Sequence, residues 1–144
     1  MSGPVTQVDL AIGLGCRKGV SGAAIASLAR DGLEMLAQMG VATQGGSVAL
    51  FTIIAKRDEP GLQEAAGLLD MPLHFLSPAA MKAVAGRVQT SSPRVLALFG
   101  VPSVAETAAL AGAGPFAEII LPRITRDGAT CAIARAPAVR DTAQ

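Results

Sequence analysis

From residue 8 onward the chain alternates short apolar runs with longer stretches in which apolar residues recur every three or four positions. Residues 8–15 (VDLAIGLG) read as a strand, and a glycine-bearing turn follows at once. From Ser21 to Gly40 the spacing predicts a helix: Ile25, Leu28, Ala29, Met35, Leu36 and Met39 share one face, and Arg30, Asp31, Glu34 and Gln38 the other. Ser21 supplies an N-cap side chain, and Gly40 suits the left-handed residue that closes a helix. Residues 47–56 (SVALFTIIAK) form a nearly continuous apolar run, as expected of a strand covered on both faces. A helix from Pro60 to about Leu69, a strand over 72–76, a helix capped by Ser77 and running to about Val88, and a strand over 95–99 follow.

Ser103 with Glu106 three residues later is a capping-box pattern at the head of an Ala-rich helix that ends near Gly112. Residues 118–125 and 129–136 flank Arg126-Asp127-Gly128 as a hairpin, and Pro122 assigns its first strand to an edge or a bulge. This order predicts an α/β fold: a three-layer α/β/α sandwich with a mixed, mostly parallel sheet and a C-terminal antiparallel hairpin. The 144 residues fit a single domain, with its core over about 8–136 and a loose tail over 137–144.

Composition narrows the function classes. At 51% hydrophobic and 16% charged residues the chain is not disordered. Twelve Lys+Arg against eleven Asp+Glu provide no global basic field for nucleic acid, and the absence of Trp and Tyr removes the usual base-stacking platforms. No run approaches the ~18 apolar residues of a membrane span, and the first residues lack a signal-peptide pattern. The expectation is a cytoplasmic protein without membrane or nucleic-acid partners. Cys16 and Cys131 make no disulfide framework, and with His74 as the single histidine no metal site and no cofactor are expected.

Ligands of open α/β sheets bind beyond the carboxyl ends of the strands. There the turn at 13–21 combines Gly13, Gly15 and Gly19 with Cys16, Arg17 and Lys18 ahead of a helix N-terminus, which reads as a place to hold an anion. It is neither a phosphate P-loop, since no Gly-Lys-Ser/Thr follows, nor a full dinucleotide fingerprint, since Lys56 stands where an acidic residue is expected. The plain alternative is a strand–helix turn with solvated cations. Lys56 and Glu59 are the catalytic candidates, as ligand contact and general base, against a simpler role for Asp58 or Glu59 in capping the helix at Pro60. Cys16, beside two cations, is the one thiol whose pKa the sequence places low; no histidine lies near it in sequence to complete a nucleophilic pair.

Four segments resemble one family in order: Gly13-Leu14-Gly15-Cys16-Arg17-Lys18-Gly19; Ala55-Lys56 with Asp58-Glu59 and Gly61-Leu62; Gly100-Val101-Pro102-Ser103-Val104-Ala105-Glu106; and Ala132-Ile133-Ala134-Arg135. The family is CobE, also found as the C-terminal domain of CbiG, and the resemblance spans about residues 8–136. It implies a role in building the corrin ring of vitamin B12. The implied ligand is a precorrin or hydrogenobyrinate-type tetrapyrrole, with other corrin-pathway enzymes as possible company. The family pattern supports Gly13, Gly15, Cys16, Arg17, Lys56, Glu59, Ser103 and Glu106 as site candidates. Joined with the turn's Lys18, the expected ligand-binding set is Gly13, Gly15, Cys16, Arg17, Lys18, Ser103 and Glu106, and Lys56 and Glu59 stay the catalytic candidates on the residue reading. CbiG proteins open a ring-A lactone, so a small hydrolase or lyase is one alternative; a nucleotide-binding regulatory module is the other. Thr107 stands where the family often has proline, a change that concerns helix geometry.

Overall fold

The computed structural model describes residues 8–43, 46–88, 95, 98 and 103–136. Strand β1 (Leu10–Cys16) leads to helix α1 (Gly22–Gln38), and β2 (Val48–Ile53) leads through a 3₁₀ turn at Ile54–Lys56 to α2 (Pro60–Leu69). Next come β3 (Leu73–Leu76), α3 (Pro78–Val84) and a 3₁₀ turn at Ala85–Arg87. Helix α4 (Val104–Ala113) precedes the final strands β4 (Glu118–Arg126) and β5 (Ala129–Arg135). Among the described residues five strands form one sheet in the order β3-β2-β1-β5-β4. β1, β2 and β3 pair in parallel, while β5 lies antiparallel between β1 and β4.

The layering follows from side-chain size along β1. Leu10, Ile12, Leu14 and Cys16 join Ile25, Leu28 and Leu36 of α1 and Leu62 and Ala65 of α2 in one core. Ala11 belongs to a second core with Phe51, Met81 and Ala108, Ala109 and Ala113 of α4. Alternate residues of a strand face opposite sides, so these cores lie on the two faces of the sheet. β1 is accordingly buried along its whole length. The expected three-layer sandwich with a mixed sheet and terminal hairpin is the architecture observed.

Local signals set most boundaries. Ser21 Oγ accepts the Ala24 N–H at 3.1 Å and starts α1. At its end Gly40 takes φ +87°, with Gly40 N–H on Ala37 O and Val41 N–H on Leu36 O, both at 3.0 Å. Met35 and Met39, expected on the core stripe, are instead 41% and 64% exposed. Met39 closes the helix, and Met35 borders a shallow groove between α1 and β4. The run expected as a strand over 47–56 leaves the sheet at Ile54, where the chain winds into the 3₁₀ turn.

The strand expected over 95–99 falls mostly outside the described residues. Val95 and Leu98, which are described, are helical, and among the described residues the sheet takes no strand from this stretch. A short apolar run does not by periodicity distinguish a strand from a buried helical segment. The tail beyond residue 136 also lies outside the described residues.

Candidate functional site

β1, β2 and β3 end on one edge of the sheet, and the β4–β5 turn arrives at the same edge because Cys16 pairs with Ala129 across antiparallel strands. The Arg17 N–H donates to Gly128 O at 2.8 Å and ties the turn after β1 to the hairpin. Here, beside the start of α4, opens a cleft of about 620 Å³. Arg17 and Lys18 reach it from the turn after β1, Lys56 from the 3₁₀ turn after β2, and Arg123 from β4. Val95, Leu98 and Val104 add apolar surface, and Ser103, Thr125 and Thr130 add hydroxyl groups. No Asp or Glu lines the cleft among the described residues. Nor does any of the four cations form an ion pair there; the pairs among described residues are Arg126–Asp31 and Arg135–Glu118.

Six expected site residues meet at this cleft: Gly15, Cys16, Arg17, Lys18, Lys56 and Ser103. Gly13, Glu59 and Glu106 do not line it. Gly13 lies inside β1 rather than in a ligand-binding turn, and α4 packs directly on it. A Cβ at that position would overlap the Ala105 carbonyl oxygen and stand 2.7 Å from Ala109 N. The close approach that this glycine permits is made by a helix, not by a ligand.

Several of the backbone amides expected to hold an anion already have acceptors. Glu59, only 9% exposed, places Oε2 at 2.8 Å from the Gly19 N–H. Glu64 Oε1 accepts the N–H of Gly22, the first residue of α1, at 2.9 Å. Glu59, at the N-cap of α2, and Glu64, within it, thus satisfy these two amides from within the protein. The capacity for an external anion rests on side chains. Glu59 occupies the N-cap position of α2 without a side-chain capping bond, so the described hydrogen bond of its carboxylate is the one from Gly19.

Ser103 caps α4, its Oγ accepting the Glu106 N–H at 3.3 Å. Glu106 is fully buried, and its Oε2 accepts the Arg123 N–H at 2.9 Å. The expected acidification of Cys16 is reversed. Burial pushes the thiol above its ordinary range; Lys56 opposes the shift, and Glu59 adds to it. Cys131, deep in the core, is pushed up to about 12 by burial alone. His74 is exposed on β3 and stacks on Phe51, with ring centroids 5.1 Å apart, and does not line the cleft. Among the described residues no three His, Cys, Asp or Glu side chains gather as a metal site.

Arg123, Thr125 and Thr130 are the polar side chains of the cleft that sequence reasoning missed, along with Gly128 and the apolar Val95, Leu98 and Val104. The pairing of β4 with β5 slips between Ile119 and Leu121 and again between Leu121 and Ile124. Pro122 and Arg123 sit in that irregular stretch of an edge strand, in keeping with the expectation for the proline. The hairpin motif was a usable signal. Its pairing beside β1, which delivers it to the cleft, is a long-range feature with no local mark.

A mixed α/β fold whose strand ends hold a cleft of four cations, without ion pairs among the described residues, is the class defined by this geometry. The particular family is that of the cobalamin synthesis G C-terminus, to which the chain belongs: the family model matches residues 10–134. Protein CobE from Sinorhizobium sp. is 35% identical over 125 residues, covering 87% of this chain and 79% of that protein. The crystal structure of CobE, a protein from the cobalamin (vitamin B12) biosynthetic pathway, matches with TM-score 0.75 and 37% identity, over 97% of this chain and 98% of that one. The cobalamin biosynthesis protein chiG from Agrobacterium tumefaciens matches with TM-score 0.64 and 31% identity, over 90% of this chain and 99% of its own.

Proposed function

We propose that the protein binds a precorrin or hydrogenobyrinate-type intermediate of corrin-ring synthesis, as a carrier or accessory protein, gripping the carboxylates around the ring. Membership of a cobalamin-synthesis family supports the pathway. The carrying observation is the cleft itself: Arg17, Lys18, Lys56 and Arg123 line it without ion-pair partners or an acidic lining residue among the described residues. Four cations kept unneutralised on one concave surface repel one another and favour a ligand with several acids. Val95, Val104 and Leu98, the last 63% exposed, offer apolar surface to a flat macrocycle.

Titration with hydrogenobyrinic acid, followed by its visible absorbance, tests the reading. A saturable spectral change is expected, with affinity lowered about a hundredfold in an Arg17→Ala/Lys56→Ala double variant, roughly tenfold for each lost contact. A wild-type protein that gives no saturable change, alongside a corrin-binding control that does, overturns it.

A further inference from the structure

We infer that Arg123 is a carboxylate-binding residue of the cleft and that Glu106 is the positioning residue that sets it in place. Arg123 leaves an irregular edge strand, where pairing with β5 lapses on either side of Leu121 and ladder bonds hold the backbone less firmly. An arginine on such a segment loses affinity to conformational freedom unless something fixes its backbone. Glu106 supplies that constraint: from the first turn of α4, fully buried and outside the cleft lining, it accepts the Arg123 N–H at 2.9 Å.

The other end of this link is equally well held. Ser103 Oγ accepts the Glu106 N–H, and Ser103 itself is 1% exposed on the cleft. Helix α4 packs against β1, β5 and β4, so its first turn is a rigid mount. Glu59 does for the opposite side what Glu106 does for this one. It accepts the Gly19 N–H, two residues beyond Arg17 and next to Lys18, again without lining the cleft. Two buried carboxyl groups thus stand behind the cationic surface, each bonded to backbone that carries its cations. Both acids act on the protein's own main chain, and the ligand meets arginine and lysine.

This inference rests on the corrin reading only for the identity of the large ligand, so its test uses two probes. Hydrogenobyrinic acid and the small tricarboxylate tricarballylate are each titrated into wild type, Arg123→Ala, Glu106→Gln, Glu106→Leu and the Glu106→Leu/Arg123→Ala double variant, with urea unfolding of each. Arg123→Ala keeps the main-chain bond to Glu106 and is expected to fold normally while binding about tenfold more weakly. Glu106→Gln retains an acceptor oxygen and is expected to bind within about threefold of wild type. Glu106→Leu is expected to match the loss in Arg123→Ala and to add nothing further in its presence, because both remove the same contact. A purely structural role for Glu106 would produce additive losses instead, and that result overturns the proposal. So does unimpaired binding by Arg123→Ala, which remains decisive if Glu106→Leu fails to fold. If only tricarballylate binds and shows this pattern, the corrin reading fails and the inference stands; if neither probe binds wild type, the inference falls as well.

Discussion

Gly13 and Gly15 are two residues apart on the same face of β1, yet the structure assigns them different work. Backbone of α4 occupies the space a Cβ at Gly13 would need, and backbone has no rotamer by which to withdraw. At Gly15 the nearest obstacle is Thr130 Oγ1, 2.6 Å from an added Cβ, a side-chain atom able to rotate aside. Gly13→Ala is therefore expected to lose about 3 kcal/mol of stability or more, and Gly15→Ala about 1 kcal/mol, by urea unfolding. Polycarboxylate binding should show the opposite sensitivity among folded molecules, since only Gly15 lines the cleft. Equal destabilisation by the two changes would refute direct packing of helix on strand. Thr107 is a quieter departure. Its N–H donates to Ser103 O at 3.1 Å, a bond that proline could not make, and among the described residues its buried hydroxyl has no partner.

At the scale of elements, the β4–β5 hairpin links folding to the cleft. Asp127 and Gly128 take φ 55° and 83°, the left-handed pair of a tight two-residue turn. Gly128→Ala is expected to cost about 1–2 kcal/mol, with its Cβ also pressing on Val20 Cγ2 at 3.1 Å. Gly128 O also anchors the Arg17 N–H, so the same change should weaken tricarballylate binding severalfold. Gly40→Ala is the control: φ is +87° there and the space is open, so it should lose stability while keeping its affinity. If both variants bind like wild type, the hairpin does not place Arg17. The turn, α1 and β1 could be read from the sequence because each rests on local chemistry: an Asp-Gly pair, a serine cap, an alternation of large and small residues. At Val95 and Leu98, the described residues of the stretch 95–99, the helical state could not, since VLALF carries no period that separates strand from helix. Arg123 escaped notice for another reason: nothing within β4 says which strands β5 will join. The roles of Glu59 and Glu64 likewise depend on α1 packing against α2, a tertiary contact that overrides what each residue suggests by its place in the sequence.

For the molecule as a whole, a formal charge of +1 conceals a strongly uneven distribution. Four cations share one cleft without acidic lining residues among those described, while Glu59, Glu64 and Glu106 bond main-chain amides around or behind it. Composition averages this separation away, which is why the sequence-level charge balance excluded a nucleic-acid field yet left room for a local anion site. Recognition by such a cleft must be sensitive to ionic strength. The screening length shrinks from about 10 Å at 0.1 M salt to about 3 Å at 1 M. The apolar cores and the two exposed ion pairs leave the free protein much less to lose. Hydrogenobyrinic acid present at about 100 times its dissociation constant should raise unfolding free energy by about 2.7 kcal/mol in low salt. At the same total concentration in 1 M sodium chloride most of that increment should disappear, while the unliganded protein unfolds at nearly the same urea concentration once the general effect of salt is subtracted with the Arg17→Ala/Lys56→Ala variant. Acetate, with one acid, should give little increment in either buffer. Persistence of the full increment in high salt would place the ligand's apolar ring, rather than its acids, at the centre of recognition, and the cations would then need another explanation.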